Sequence, residues 1–310
     1  MFSTKFSILN NRSFVRAAAF CLLLCVVFSS ASCRDTANQT APAASATREV
    51  TDDLGRAIKI PLIVERAVSL APNLTENVFA VGAGDKLVGV TSYCDYPEAA
   101  KKIAKIGDTI NPNIETIIAL KPQIVFVSTA SQIENFTKTL ESQNIAVFIT
   151  NPNDFEGILR NLKQIGEILG TSAAAEKLIA DLQNRVAAVK EKVKNDAPTK
   201  VFVQISKEPL FTIGKDSFIT EIVERAGGES VTKNLIPKAY DRLSKETALA
   251  LNPDAIILSE SPDNLEPNEV FKNSGAVKNN RVFRVSAAYL ARPGPRVVDA
   301  IEQIAKDLHP

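Results

Sequence analysis

The chain has 310 residues with 36 basic and 35 acidic side chains, and it contains one histidine, four cysteines and no tryptophan. This near balance of charge argues against a nucleic-acid-binding protein, which needs a basic surface. Because the single histidine is His309, the composition excludes Ser-His-Asp triads, Cys-His dyads and His-rich metal sites. We expect no catalytic residue, no metal site and no cofactor, and a hydrolase with a catalytic carboxylate pair is the alternative.

The first 32 residues have the layout of a secretory signal peptide. They combine three basic residues and no acidic one with an apolar run at 17–28, followed by small residues up to Cys33. The apolar run is too short for a membrane-spanning helix, which needs about 20 residues. We therefore predict that residues 1–32 are removed on export, which leaves 33 basic against 35 acidic residues.

Cys33 is a candidate lipidation site. The small residues Ser30, Ala31 and Ser32 stand directly before it, an arrangement that resembles the lipobox of bacterial lipoproteins. The usual lipobox has Leu where this chain has Ser30, so cleavage to a protein without an anchor is the alternative. Residues 33–47 are polar and lack a hydrophobic period, which predicts a flexible tether to the membrane.

The next segment predicts a hairpin followed by an α/β lobe at 48–152. Residues 50–60 read as two short strands around an Asp-Leu-Gly turn. After Pro61, apolar runs alternate with helical patterns, which favours a parallel sheet covered on both faces. With Cys21, Cys25 and Cys33 accounted for, this lobe holds the one remaining cysteine, Cys94, so no intrachain disulfide is expected.

Residues 153–197 predict helices, including one long rod. No proline occurs between Pro152 and Pro198, and apolar residues from Leu178 to Val193 recur at helical spacing. A helix over 172–195 would be about 36 Å long. Such a helix either links two domains or covers the sheet of one large α/β domain.

The segment 198–310 predicts a second α/β lobe that closes with a helix over 296–308. Residues 115–128 and 246–259 share six identities in fourteen positions, and TENVFAVG from Thr75 resembles TEIVERAG from Thr220 in the same chain order. Two matches in the same order indicate two lobes of similar build. The predicted fold is therefore α/β, with two similar Rossmann-like lobes and mostly parallel sheets, joined by a long rigid backbone helix.

The four tyrosines point to a ligand site. We expect all of them in loops between the strands and helices, where open α/β sheets bind ligands. Their rings can stack on a planar ligand while their hydroxyls form hydrogen bonds at its edge. These residues are Tyr93, Tyr96, Tyr240 and Tyr289.

The segments in this order resemble the class III periplasmic substrate-binding proteins of ABC importers, which have a rigid helical backbone and deliver cobalamin, siderophores or haem. The resemblance covers nearly the whole chain beyond the tether. It rests on TDDLGRAIKIP, SLAPNLTENVFAVGAGDKLVGVTSYCDYP, NPNIETIIALKPQIVFVS, EPLFTIGKDSFITEIVERAGGE, RLSKETALALNPDAIILS and RVFRVSAAYLARPGPRVVDAIEQI. The segment GVTSYCDYP is most similar to the cobalamin-binding branch.

The resemblance implies a set of ligand-binding residues. In the cobalamin-binding branch, side chains at these places lie against or near the corrin ring; they are Tyr93, Phe211, Tyr240, Tyr289 and Arg292. Familiar members also place tryptophans in the pocket, whereas this chain has Thr109 and Ser128 at two such places.

The resemblance also implies partners. Family members dock one glutamate from each lobe onto arginines of the permease, and Glu115 and Glu246 match these positions. We thus expect a monomeric, exported lipoprotein that captures a corrinoid between its lobes and delivers it to a permease and ATPase complex. The alternatives are a ferric siderophore or haem receptor, for which Arg292 and Arg296 would meet anionic groups, and a surface lipoprotein enzyme.

Overall fold

The computed structural model describes residues 46–129 and 134–310, with side chains from 137 onward in the second range. The predicted signal peptide, Cys33 and nearly all of the tether lie outside these ranges. Within them, no helix combines the length and the apolar character needed to cross a membrane.

The described residues form a mixed α/β structure. The strands are β1 (Thr47–Thr51), β2 (Ala57–Pro61), β3 (Ala67–Ser69), β4 (Leu87–Val90), β5 (Ile124–Ser128), β6 (Ala146–Thr150), β7 (Thr199–Ser206), β8 (Phe211–Ile213), β9 (Gly228–Ser230), β10 (Tyr240–Arg242), β11 (Ala255–Glu260) and β12 (Val282–Ser286). The α-helices are α1 (Pro72–Ala80), α2 (Ile114–Ala119), α3 (Glu134–Ser142), α4 (Phe155–Leu169), α5 (Ser172–Val193), α6 (Phe218–Arg225), α7 (Lys245–Leu251), α8 (Gly275–Lys278), α9 (Ala287–Leu290) and α10 (Val297–Leu308). Short 3₁₀ helices cover Gly84–Lys86, Glu98–Lys102 and Glu269–Phe271.

The predicted N-terminal hairpin is confirmed. Strands β1 and β2 pair antiparallel, with Thr51 opposite Ala57. The Asp52 carboxylate holds the turn, because it accepts hydrogen bonds from the backbone N–H groups of Leu54 and Arg56 at 3.0 and 2.9 Å. Gly55 has φ of 76°, a left-handed conformation that glycine adopts without strain.

Each lobe contains a parallel sheet with the same strand order. The first sheet runs β4-β3-β5-β6, and the second contains the parallel set β9-β7-β11-β12. Along β5, successive residues contribute alternately to two different hydrophobic clusters, as expected for a sheet buried on both faces. The predicted class of two similar, mostly parallel lobes is confirmed.

The second sheet also has an antiparallel extension that the sequence does not predict. Strand β8 pairs antiparallel with β7, and β10 pairs antiparallel with β8. Both are three residues long, too short to show a period of two, so their pairing depends on the neighbouring strands. As a result Tyr240 begins a strand, whereas the sequence placed it in a loop. Tyr289, also predicted in a loop, lies in the short helix α9.

The repeated segment adopts the same local structure in both lobes. Helix α2 is capped by Asn113, whose side chain accepts from the Thr116 N–H, and α7 is capped in the same way by Ser244. Each helix is followed by a left-handed residue before a proline, with φ of 47° at Lys121 and 37° at Asn252. Strands β5 and β11 follow, so the sequence repeat is a structural repeat.

The long helix α5 has 22 residues and ends two residues before the predicted boundary. Its buried face, which includes Leu182, Val186 and Val189, belongs to one hydrophobic cluster with residues from both sheets. Helix α5 packs against α4 and α10, and α4 packs against α1 of the first lobe. The backbone helix therefore joins the lobes through a continuous apolar core.

Candidate functional site

A cavity of about 400 Å³ opens between the two lobes, and we call it the cleft cavity. Most of its lining residues are small and uncharged, and they include both polar and apolar side chains. The charged side chains in the lining are Asp216 and Arg292. The lining residues are Ala71, Pro72, Asn73, Thr109, Ser128, Thr129, Asn151, Pro152, Asn153, Asp216, Ser217, Phe218, Ala239, Tyr240, Ala291, Arg292 and Pro293.

The wall from the first lobe is built where parallel strands end. Residues 71–73, 128–129 and 151–153 lie at or just beyond the carboxyl ends of β3, β5 and β6. These ends meet at one edge of the sheet, which is the usual place for a ligand in open α/β folds. Thr109 and Ser128 both line this wall, so the places where family members carry tryptophans hold short hydroxyl side chains here.

The wall from the second lobe is built by residues 216–218 at the start of α6, by Tyr240 and by residues 291–293. Tyr240 is 38% exposed and faces the open cleft. Burial of its hydroxyl raises the pKa of Tyr240 above its ordinary value of 10.0, although a hydrogen bond with Ser217 works in the opposite direction. The phenol is therefore a neutral hydrogen-bonding group at physiological pH.

The five residues that the resemblance assigns to the ligand do not all meet in this cavity. Tyr240 and Arg292 line it. Tyr93, 60% exposed, lies in the loop that follows β4. Phe211 and Tyr289 are absent from the lining: Phe211 lies 5.7 Å from the guanidinium of Arg242, and Tyr289 lies 5.1 Å from that of Arg296. The assignment of all five to the ligand stays a prediction.

Arg292 belongs to a charged group that bridges the lobes, which we call the interlobe ion cluster: Glu76, Asp95, Arg292 and Arg296. Glu76 lies on α1 and is 3% exposed. Its carboxylate accepts from Arg292 Nη1 at 2.9 Å and from Arg296 Nε at 2.8 Å. Asp95 accepts from the same Arg292 Nη1 at 2.7 Å.

The cluster is electrically balanced, because two carboxylates of the first lobe face two guanidinium groups of the second. The hydrogen bond and ion pair with Arg292 hold the pKa of Asp95 below its ordinary value of 3.8. The Arg296 guanidinium also lies over the Tyr96 ring at 4.2 Å, which adds a cation–π contact to its ion pair with Glu76. Both arginines proposed as anion ligands are thus already paired with carboxylates.

Sequence reasoning missed Glu76 and Asp95. Glu76 is separated from Arg292 by 216 positions, and nothing in the helix TENVFAVG distinguishes a buried glutamate from a solvated one. One weak signal exists, because Asn73, Glu76 and Asn77 place amide and carboxylate side chains at helical spacing on a helix with apolar neighbours. All three are buried, and Asn73 Nδ2 lies 3.5 Å from the carbonyl oxygen of Pro293.

Glu115 and Glu246 occupy equivalent places, the first turns of α2 and α7, and both are exposed. Hydrogen bonds from its own backbone N–H and from Ser244 hold the pKa of Glu246 below its ordinary value of 4.5. Neither side chain lines the cleft cavity. The two carboxylates are therefore available to a partner that contacts both lobes.

Comparison with known proteins gives a consistent family. The periplasmic binding protein family matches residues 68–289. The uncharacterized ABC transporter substrate-binding lipoprotein YvrC of Bacillus subtilis is 30% identical over 312 residues, which cover 95% of this chain and 98% of the relative. The vitamin B12-binding protein of Vibrio vulnificus is 30% identical over 247 residues, which cover 78% of this chain and 89% of the relative.

A solved structure agrees with the sequence comparison. The periplasmic vitamin B12-binding protein BtuF of Vibrio cholerae matches with a TM-score of 0.71 and 27% identity, over 80% of this chain and 98% of that one. The fold, the repeat of the two lobes and the matches to known proteins all indicate the same family. The chain belongs to the periplasmic binding protein family, and it is a substrate-binding protein of ABC transport and not an enzyme.

Proposed function

We propose that this protein captures a corrinoid in the cleft cavity and delivers it to an ABC permease and ATPase complex. The observation that carries the proposal is the character of the cleft: a mostly uncharged lining of polar and apolar residues that includes Tyr240, with a further exposed tyrosine, Tyr93, in the loop after β4. A corrinoid presents a flat ring with amide groups around its edge. Tyrosine rings suit the flat face, and asparagine, serine and threonine side chains suit the amides.

Two relatives support this ligand. The protein of Vibrio vulnificus and the structure from Vibrio cholerae are both named as vitamin B12-binding proteins. The segment GVTSYCDYP, which resembles the cobalamin-binding branch, is the segment that places Tyr93 outside the core.

The electrostatics of the cleft favour a corrinoid over haem or a ferric siderophore. A haem propionate or a siderophore carboxylate needs a free cation, whereas Arg292 and Arg296 already face Glu76 and Asp95. His309 contacts Asp196 at 3.2 Å and does not line the cleft cavity.

Calorimetry with cyanocobalamin, haem and a ferric siderophore tests the proposal. We expect tight binding of cyanocobalamin, and Tyr93→Ala and Tyr240→Ala should each weaken it by about 1 to 3 kcal/mol, the range for losing one aromatic contact. Leu249→Ala is the control, because Leu249 is an exposed residue of α7 outside the cleft. No heat with cyanocobalamin together with tight binding of haem or siderophore would overturn the corrinoid assignment.

We further propose that Glu115 and Glu246 dock onto the permease. Their support is the matched placement on two equivalent capped helices, one in each lobe. Two separated anionic points can orient the protein on a two-subunit partner. Stimulation of transporter ATPase activity in liposomes measures this role, and a variant with both glutamates changed to alanine should fail to stimulate while keeping ligand affinity.

We also propose that Cys33 carries a lipid anchor and that the exported protein is a monomer without a cofactor of its own. The relative YvrC is named a lipoprotein. Cys33→Ser should release the protein from membranes in detergent phase partitioning, whereas Cys94→Ser should leave folding nearly unchanged. Cys94 is buried between Thr75 and Thr91, whose hydroxyls lie 3.1 Å from its sulfur, and a serine hydroxyl can form hydrogen bonds with the same two groups. Partitioning of the wild type into the aqueous phase would contradict the anchor.

A further inference from the structure

We propose that Asp95 is a specificity-determining residue: by pairing with Arg292 it keeps the cleft cavity closed to anionic ligands. The inference rests on the proposed function only in taking this cavity as the ligand site. Arg292 is the one basic side chain of the described residues that lines the cavity. The charge that an incoming ligand meets there consequently depends on what pairs with Arg292.

Of the two carboxylates that pair with Arg292, Asp95 is the one that solvent and an incoming ligand can reach. Arg292 Nη1 lies 2.7 Å and Nη2 lies 3.5 Å from the two Asp95 oxygens, so the carboxylate faces the planar end of the guanidinium. Glu76 binds the same Nη1 from inside the protein. The Asp95 side chain is 60% exposed and that of Glu76 is 3% exposed, so Asp95 is the partner at the solvent side.

The other charges near the cavity reinforce the exclusion of anions. Arg296 lies against Glu76 and the Tyr96 ring, its side chain is 16% exposed, and it does not line the cavity. Asp216, the second charged residue of the lining, adds a negative charge to the second-lobe wall that also carries Arg292. Without Asp95, Arg292 and Arg296 would share Glu76 alone, leaving one positive charge beside the cavity.

Asp95 is a suitable residue for a test because its loss need not unfold the protein. Removing the charge of the buried Glu76 would leave two arginines without a carboxylate inside the protein, and this strongly destabilises folded proteins. Removing the exposed Asp95 charge leaves the Arg292–Glu76 contact in place. Asp95→Asn also keeps the shape of the side chain and one acceptor oxygen for Arg292.

The experiment compares haem with haem dimethyl ester, two ligands with the same ring that differ in carrying carboxylates or neutral esters. Affinities are measured by absorbance titration for the wild type, Asp95→Asn and Asp95→Glu. We expect Asp95→Asn to raise the ratio of haem affinity to ester affinity about three- to tenfold, and less at high salt. Asp95→Glu keeps the carboxylate and should keep the wild-type ratio.

Glu98→Gln is the matched control, since it makes the same change in net charge three residues away. The Glu98 side chain is 80% exposed and pairs with Lys101, not with Arg292. An equal ratio in wild type and Asp95→Asn, an equal rise in Glu98→Gln, or the absence of haem binding in every variant would overturn the role of Asp95. Cyanocobalamin titration of the wild type separately decides the proposed function, so the two ideas can fail independently.

Discussion

The two lobes meet through two interfaces of opposite character. The apolar seam consists of α4, α5 and α10, whose buried side chains belong to one hydrophobic cluster that extends into both sheets. The polar seam consists of Asn73, Glu76 and Asn77 of α1 against residues 291–296, joined by the interlobe ion cluster. The polar seam also reaches the cleft cavity, because Asn73 and Arg292 belong to both.

The difference between the seams separates two tasks. Apolar burial is non-directional and tolerates small shifts, so the apolar seam supplies most of the free energy that keeps the lobes together. Charged hydrogen bonds are directional, and they lose energy steeply when the geometry changes. We infer that the polar seam fixes the angle between the lobes and the charge of the cleft, while the apolar seam provides stability.

The largest effect on stability is expected when the buried carboxylate of the polar seam is removed. Glu76→Ala leaves Arg292 and Arg296 without their buried carboxylate, and we expect a loss of about 4 kcal/mol in the free energy of unfolding. Urea denaturation measures it. Adding Arg296→Ala should cost less than the sum of the two single changes, because the charges are removed together. A loss below about 1 kcal/mol for Glu76→Ala would show that the cluster is open to water.

The next largest effect on stability is expected when a buried side chain of the apolar seam is shortened. Leu182 of α5 is 2% exposed, and Leu182→Ala should lower the free energy of unfolding by about 3 kcal/mol through lost burial and the remaining cavity. Because the polar seam is untouched, the dissociation constant for the ligand should stay at the wild-type value. A weakened affinity in this variant, measured by calorimetry, would contradict the division of tasks between the seams.

A smaller effect is expected when an added methyl group pushes the two sides of the polar seam apart. A Cβ atom added at Gly294 would lie 2.8 Å from Asn77 Oδ1, closer than two such atoms normally approach. Gly294→Ala should therefore cost about 1 to 3 kcal/mol of stability and shift the lobe angle, which ligand affinity reports. Gly275→Ala is the control, because its nearest atom would lie at 3.8 Å. Equal behaviour of the two variants would argue against a tightly fitted polar seam.

The docking glutamates lie outside both seams, and their removal should change folding least. Glu115→Ala combined with Glu246→Ala is expected to leave the melting temperature and the ligand affinity at wild-type values, since both side chains are exposed. ATPase stimulation in liposomes should be lost, and reversal of both charges to arginine should be worse. Full stimulation by the alanine variant would remove the docking role, and lost ligand binding would place these residues in the site.

The polar seam should be insensitive to pH in the physiological range. A carboxyl group with a lowered folded pKa stabilises the protein above its unfolded pKa, and this contribution disappears as the pH falls through the folded value. For Asp95 that loss begins below 3.8, and Tyr240, with its raised pKa, stays protonated up to about pH 9. Ligand affinity should thus stay constant from about pH 5 to 9, and a change within this range would show that another group controls the site.

Much of the fold follows from local pattern. The hairpin, the long helix, the closing helix and the repeat of α2–β5 in α7–β11 all depend on spacing within one segment. The two helices lie within two residues of their predicted bounds, and the hairpin begins three residues before its predicted start. The assignment of the five site residues to a ligand stays a prediction. Tyr240 and Arg292 line the cavity, whereas Phe211 and Tyr289 contact arginines elsewhere.

The sequence by itself determined the periods of its helices and strands, the repeat of its lobes and the absence of histidine-based chemistry, because each of these is a property of composition or of neighbours along the chain. Only the tertiary structure decided that Glu76 is buried and that Arg292 and Arg296 are neutralised. Those pairings join residues about 200 positions apart, and their energies depend on distance and burial, which no local pattern records.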